Sequence, residues 1–135
     1  MRFARAVLAI SALTWAGFGV MIALNPAGLA GVGLEVDNPL GRVEVRGFYG
    51  GLELGLAAFL AWSLCAPERV RAGLMLAALT VGCTASGRLF GIALEGGQTS
   101  GLMWTFVALE ASACVLSVWA YRRLLAGAAT DPHTD

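Results

Sequence analysis

The sequence predicts an all-α integral membrane protein. Four helices cross the bilayer up-down-up-down, both termini are cytoplasmic, and a longer interfacial loop joins helices one and two. Three observations carry this reading. Of 135 residues, 58% are apolar and only 13% are charged. A soluble domain carries about a quarter charged residues, so too little polar surface remains here to clothe a globule. The mean hydropathy is +0.74. The apolar residues are gathered into four runs long enough to span a bilayer, and the arginines cluster beside alternate ends of those runs.

The first run extends from Phe3 to Leu24 and stops at Asn25-Pro26, because proline cannot continue the helical hydrogen-bond ladder. Its basic start, Arg2 and Arg5, also fits a secretory signal. The apolar stretch is long for one, and its removal would leave three spans, so it is read as a retained helix. The stretch Ala27 to Arg42 is only partly apolar and is broken by Gly28, Gly31, Gly33, Pro39 and Gly41. It is read as a loop or a short helix on the membrane surface.

The second run extends from Val43 to Leu64 and closes at the turn Ala66-Pro67-Glu68-Arg69. The third runs from Val70 to Leu94, and Glu95 to Ser100 forms a short polar turn. The fourth runs from Gly101 to Leu125. A helix needs about twenty residues to cross the hydrocarbon layer, and in lipid every backbone amide must pair within its own segment. Residues 1–126 therefore make one transmembrane domain, with helices at 3–24, 43–64, 70–94 and 101–125. Residues 127–135 make a polar cytoplasmic tail.

Arg2, Arg5, Arg69, Arg71, Arg122 and Arg123 all fall on one side of this arrangement. The other side carries Glu35, Asp37, Glu44 and Glu95, with Arg42. The positive-inside rule makes the arginine side cytoplasmic. The expected location is a bacterial inner membrane.

Composition also excludes functions. The formal net charge is zero and lysine is absent, so no basic block exists to neutralise nucleic-acid phosphates. Cys65, Cys83 and Cys114 lie in or at the ends of apolar runs without pairing spacing, and His133 stands alone beside Pro132. No disulfide framework, metal site or cofactor is expected.

The informative residues are charges inside the spans: Arg46 and Glu53 in the second, Arg88 in the third, Glu110 in the fourth. Each costs about 2.5 to 3.5 kcal/mol at a helix centre unless paired or hydrated, so four unpaired would cost on the order of 10 kcal/mol. They are expected to face the bundle interior. Arg46, Tyr49, Gly50 and Glu53 share one face of an ideal helix. Thr84, Arg88, Gly91 and Glu95 make a stripe on the third span; Met103, Phe106, Glu110 and Cys114 make one on the fourth, with Ser117 beyond. Arg88 is expected to pair with Glu53 or Glu110, and Arg46 with Glu44 or Tyr49. Gly47, Gly50, Gly51 and Gly55, with Gly82, Gly87 and Gly91, are expected to bring helices two and three close together. Gly50 also leaves room for a ligand. The candidate site is thus Glu44, Arg46, Tyr49, Gly50, Glu53, Arg88 and Glu110.

The run Glu44-Val45-Arg46-Gly47-Phe48-Tyr49-Gly50-Gly51-Leu52-Glu53-Leu54-Gly55, with Gly87-Arg88-Leu89-Phe90-Gly91 and Glu95-Gly96-Gly97, resembles the bacterial membrane proteins grouped as domain of unknown function 4345. The resemblance covers most of the chain. It implies a four-helix membrane protein without an established activity. A looser likeness to DoxX-like small membrane proteins rests on helix number and is an analogy.

The reading that follows is a protein whose outer-leaflet polar cavity binds or transports a small amphipathic or lipid-like molecule. An alternative is an accessory or structural subunit of a larger membrane complex, in which the charges act as an internal clip. A membrane-embedded isomerase using Glu53 or Glu110 as acid or base comes third. No nucleophile motif, metal cluster or redox cysteine pair supports an enzyme. Expected partners are the lipid bilayer, a lipid-like ligand, and a membrane protein or a second copy of the chain.

Overall fold

A computed structural model describes residues 1–129. All regular structure among them is helical: α1 (Arg2–Leu24), α2 (Pro39–Leu64), α3 (Val70–Leu94) and α4 (Gly101–Ala129). Each forms all or most of one of 4 helices long and apolar enough to cross a membrane. Large apolar side chains point outward at mid-helix, with Leu13 73% exposed and Val115 67%. Such a surface suits a lipid bilayer, which has no water to order around it. The expected tail from 127 onward falls largely outside the described residues, and α4 continues past Leu125 to Ala129.

The link after α1 is more ordered than expected. Pro26–Val32 winds into a 3₁₀ helix that stops at Gly33, whose φ of 84° favours glycine. Helix α2 then starts at Pro39, ahead of the expected Val43. The Asn38 side chain accepts a hydrogen bond from the Gly41 amide at 2.7 Å, and Pro39 fills the first helical position. Asn before Pro is a helix-start signal, because the ring is preset for the first turn and lacks only an amide that would stay unpaired there.

Within α2, Arg46–Gly51 forms a wide π-type turn. This turn is where α2 crosses α1. A Cβ built on Gly50 would sit 3.2 to 3.3 Å from Ala23, and one on Gly19 would sit 2.9 to 3.0 Å from Leu54 and the Gly50 carbonyl. Glycine at both positions lets the two backbones touch.

Two arginines tie this pair end to end. Arg46 Nε donates to the Ala23 carbonyl at 3.0 Å, and Arg5 Nη2 donates to the Leu64 carbonyl at 2.7 Å. Both oxygens belong to final helical turns, where carbonyls lack helical partners and cations are favoured.

Close packing by glycine is therefore distributed differently from the expectation of a helix two–helix three seam. Gly50 and Gly19 serve α1 with α2, and Gly82 faces Cys114 of α4 at 3.1 Å. Gly73 of α3 does approach α2, with a would-be Cβ 2.7 Å from the Ser63 Cβ and 2.9 Å from Leu8. Gly47, Gly55, Gly87 and Gly91 have open space beside them.

The apolar core lies toward the arginine-bearing end, where Ala4, Leu8, Leu60, Val70, Leu74, Ala77 and Ala120 are buried together. The opposite end is less filled. That asymmetry leaves space around Arg88.

Candidate functional site

Arg88 sits on α3 at the less filled end, and α4 supplies its neighbours. Its Nε donates to both carboxylate oxygens of Glu110, 3.1 Å from each. Its Nη1 lies 3.3 Å from the Met103 sulfur. Its guanidinium carbon lies 5.4 Å from the centre of the Phe106 ring, within range of a cation–π contact. Met103, Phe106 and Glu110 recur at helical spacing, so one stripe of α4 provides the whole setting. Phe106 in turn meets Phe18 of α1 edge-to-face at 6.2 Å, which anchors the stripe to the rest of the bundle.

Among the described residues this is the one ion pair. The side chains are 30% exposed for Arg88 and 17% for Glu110, so the pair is only partly buried among the helices. A guanidinium carries five N–H donors. Nε and Nη1 are engaged here; Nη2 makes no hydrogen bond with the described residues.

Arg88 opens on a cleft of about 460 Å³. The cleft is bounded by α3 at Gly91, Ile92 and Glu95, by α4 at Met103, by the turn Gln98, Thr99 and Ser100, and by Gly31–Gly33 at the end of the 3₁₀ segment. Gly91 lies between Arg88 and Glu95, and a Cβ there would meet nothing within 4 Å. The floor of the cleft between those two charges is thus bare backbone. The volume falls within the usual range for small-molecule sites.

The other expected site residues lie apart from this cleft. Arg46 binds the Ala23 carbonyl rather than Glu44 or Tyr49. Tyr49 is exposed and stacks edge-on against Phe48 at 5.7 Å, and Glu44 is exposed. Gly50 is filled by Ala23 and leaves no ligand space. Glu53 forms no ion pair with the described residues, and its Oε2 is buried without a hydrogen-bond partner. So Arg88 takes Glu110, and the two-by-two cluster of charges is not assembled. The helix geometry accounts for this. The positions of α2 that face α1 are Arg46, Gly50 and Leu54. Glu53 is one residue off that line, about 100° around the helix.

Of the residues that the sequence sets in stripes, Arg88, Gly91, Glu95 and Met103 line this cleft and Glu110 pairs with Arg88, whereas Glu44, Arg46, Tyr49, Gly50 and Glu53 do not border it. The sequence carries no signal for Gly31–Gly33 and Gln98 to Ser100, which carry no charge and join the site only through folding. No group of three or more His, Cys, Asp or Glu among the described residues is arranged to hold a metal ion.

The profile of the family described as Domain of unknown function (DUF4345) matches residues 3–121. The chain belongs to this family. Every residue of the cleft falls inside the matched segment. Comparison with curated proteins and with solved structures yields no match to either.

Proposed function

We propose that this member of the family is a membrane-embedded binding protein for a small amphipathic molecule. The ligand's polar head meets Arg88 and its apolar part lies along the α3–α4 face. One observation carries the reading: an arginine within a membrane-spanning helix keeps Nη2 without a hydrogen bond while lining a cleft. An intramembrane charge is expensive, and here the pairing with Glu110 offsets that cost without using every donor. Val32, Ile92 and Met103 give the same cleft apolar surface.

The setting we propose is a bacterial inner membrane, with the arginine-bearing end in the cytoplasm by the positive-inside rule. The cleft then faces the outer leaflet and the periplasm.

The test is thermal unfolding of the purified protein in a nonionic detergent against phospholipids, quinones and isoprenoid alcohols. A ligand at one hundred times its Kd stabilises by about 2.7 kcal/mol. Gly91→Leu fills the cleft where no native contact exists. The expected result is stabilisation of the unaltered protein and its loss in Gly91→Leu and in Arg88→Ala. Equal stabilisation of all three proteins by every compound would rule the reading out.

A further inference from the structure

The charges around the cleft do not match a simple anion site. Arg88 is already neutralised by Glu110 at 3.1 Å. Glu95 also lines the cleft and pairs with no basic side chain among the described residues. The formal charges of the three groups sum to minus one. Glu95 also stands at the C-terminal end of α3, where exposed backbone carbonyls add negative potential. An anionic head drawn to Arg88 would therefore be repelled at the mouth of the cleft.

Geometry separates the two polar functions. Arg88 and Glu95 are two turns apart on α3, roughly 10 Å along the axis. Gly91 between them exposes backbone only. A head lying along this trough meets hydrogen-bond donors at one end and an unpaired carboxylate at the other. Gln98, Thr99 and Ser100 supply neutral polar walls.

Resting on the cleft reading above, we infer that the ligand is a zwitterionic amphiphile, with its anionic oxygen at Arg88 and its cationic nitrogen at Glu95. The neutral head leaves the charge of the cleft unchanged. A purely anionic amphiphile is opposed by Glu95, and a purely cationic one leaves the remaining Arg88 donor without an acceptor.

Three probes with the same tail separate the cases: dodecylphosphocholine, dodecyl phosphate and dodecyltrimethylammonium. Each is titrated calorimetrically into the full chain in a maltoside detergent. Site binding is taken as the heat lost in Gly91→Leu, which removes general partitioning into the micelle. The zwitterion is expected to bind about tenfold more tightly than either charged probe, equivalent to about 1.4 kcal/mol. Glu95→Gln is expected to weaken the zwitterion and strengthen dodecyl phosphate. Glycerophosphocholine, which shares the head but lacks the tail, is expected to bind far more weakly.

Preference for either charged probe, lost in Gly91→Leu, overturns the zwitterion and leaves the cleft reading standing. Glycerophosphocholine binding as tightly as dodecylphosphocholine overturns the amphiphile. Absence of any Gly91-sensitive heat overturns the cleft reading and this inference together.

Discussion

Arg46 Nε donates to the carbonyl of Ala23 at 3.0 Å, holding the last turn of α1 against the wide turn of α2. The Arg5–Leu64 bond does the converse at the other end of the same pair. Both arginines are engaged with carbonyls at helix ends, and neither lines the Arg88 cleft. Replacing Arg46 by Gln is expected to destabilise by about 0.3 to 1 kcal/mol, the usual scale for a cation at a helix C-terminus. Hydrogen exchange should quicken in the last turn of α1 and leave α3 and α4 unaltered. Uniform acceleration along the chain would contradict a local tie.

The Arg88–Glu110 pair should behave as a coupled unit. Removing one partner of a fully buried pair costs about 3 to 5 kcal/mol, because the other charge is left uncompensated. Partial exposure lowers this here to about 1 to 3 kcal/mol. Arg88→Met and Glu110→Leu should each fall in that range in reversible denaturant unfolding, and the double variant should lose less than the sum of the two. Additive losses would mean that the pair carries no coupling.

Glycine positions divide sharply. Gly73→Ala drives a Cβ to 2.7 Å from Ser63 and 2.9 Å from Leu8, and Gly19→Ala drives one against the Leu54 backbone at 3.0 Å. Each should destabilise by about 1 to 3 kcal/mol through overpacking. Gly55→Ala and Gly87→Ala meet nothing within 4 Å and should be neutral. Thermal midpoints of the four variants in one detergent decide the matter; losses of similar size in all of them would contradict the packing described.

Orientation is open to direct labelling. Cys65 is exposed just after the end of α2, at the arginine-bearing end, whereas Cys83 lies mid-way along α3 and Cys114 packs against Gly82. In the orientation proposed, a membrane-impermeant maleimide should leave Cys65 unlabelled in intact spheroplasts and label it once the membrane is opened. Cys83 should resist in both, because its exposed face meets lipid. Labelling of Cys65 from outside would reverse the orientation.

How far the site was legible follows from the kind of signal each residue carries. Arg88 and Glu110 stand out because a charge in an apolar run is expensive wherever it lies. The stripe Met103, Phe106 and Glu110 stands out because α4 keeps regular helical phase. Helix α2 lacks that regular phase. Arg46, Tyr49, Gly50 and Glu53 were aligned by ideal periodicity, but the wide turn Arg46–Gly51 lies in that stretch, and the α1-facing line runs through Leu54 instead of Glu53. Asn38-Pro39 did carry a helix-start signal, which the surrounding glycines outweighed in a reading by composition.

The sequence alone determined the number and approximate extent of the apolar helices, the medium they require and the family to which the chain belongs. These depend on length, hydropathy and residue pattern, which are properties of the chain itself. Tertiary structure decided the partners: Glu110 rather than Glu53 for Arg88, a backbone carbonyl rather than a side chain for Arg46, and uncharged loop residues for the wall of the cleft. Those choices depend on the rotation of one helix against another, and a single wide turn is enough to change them.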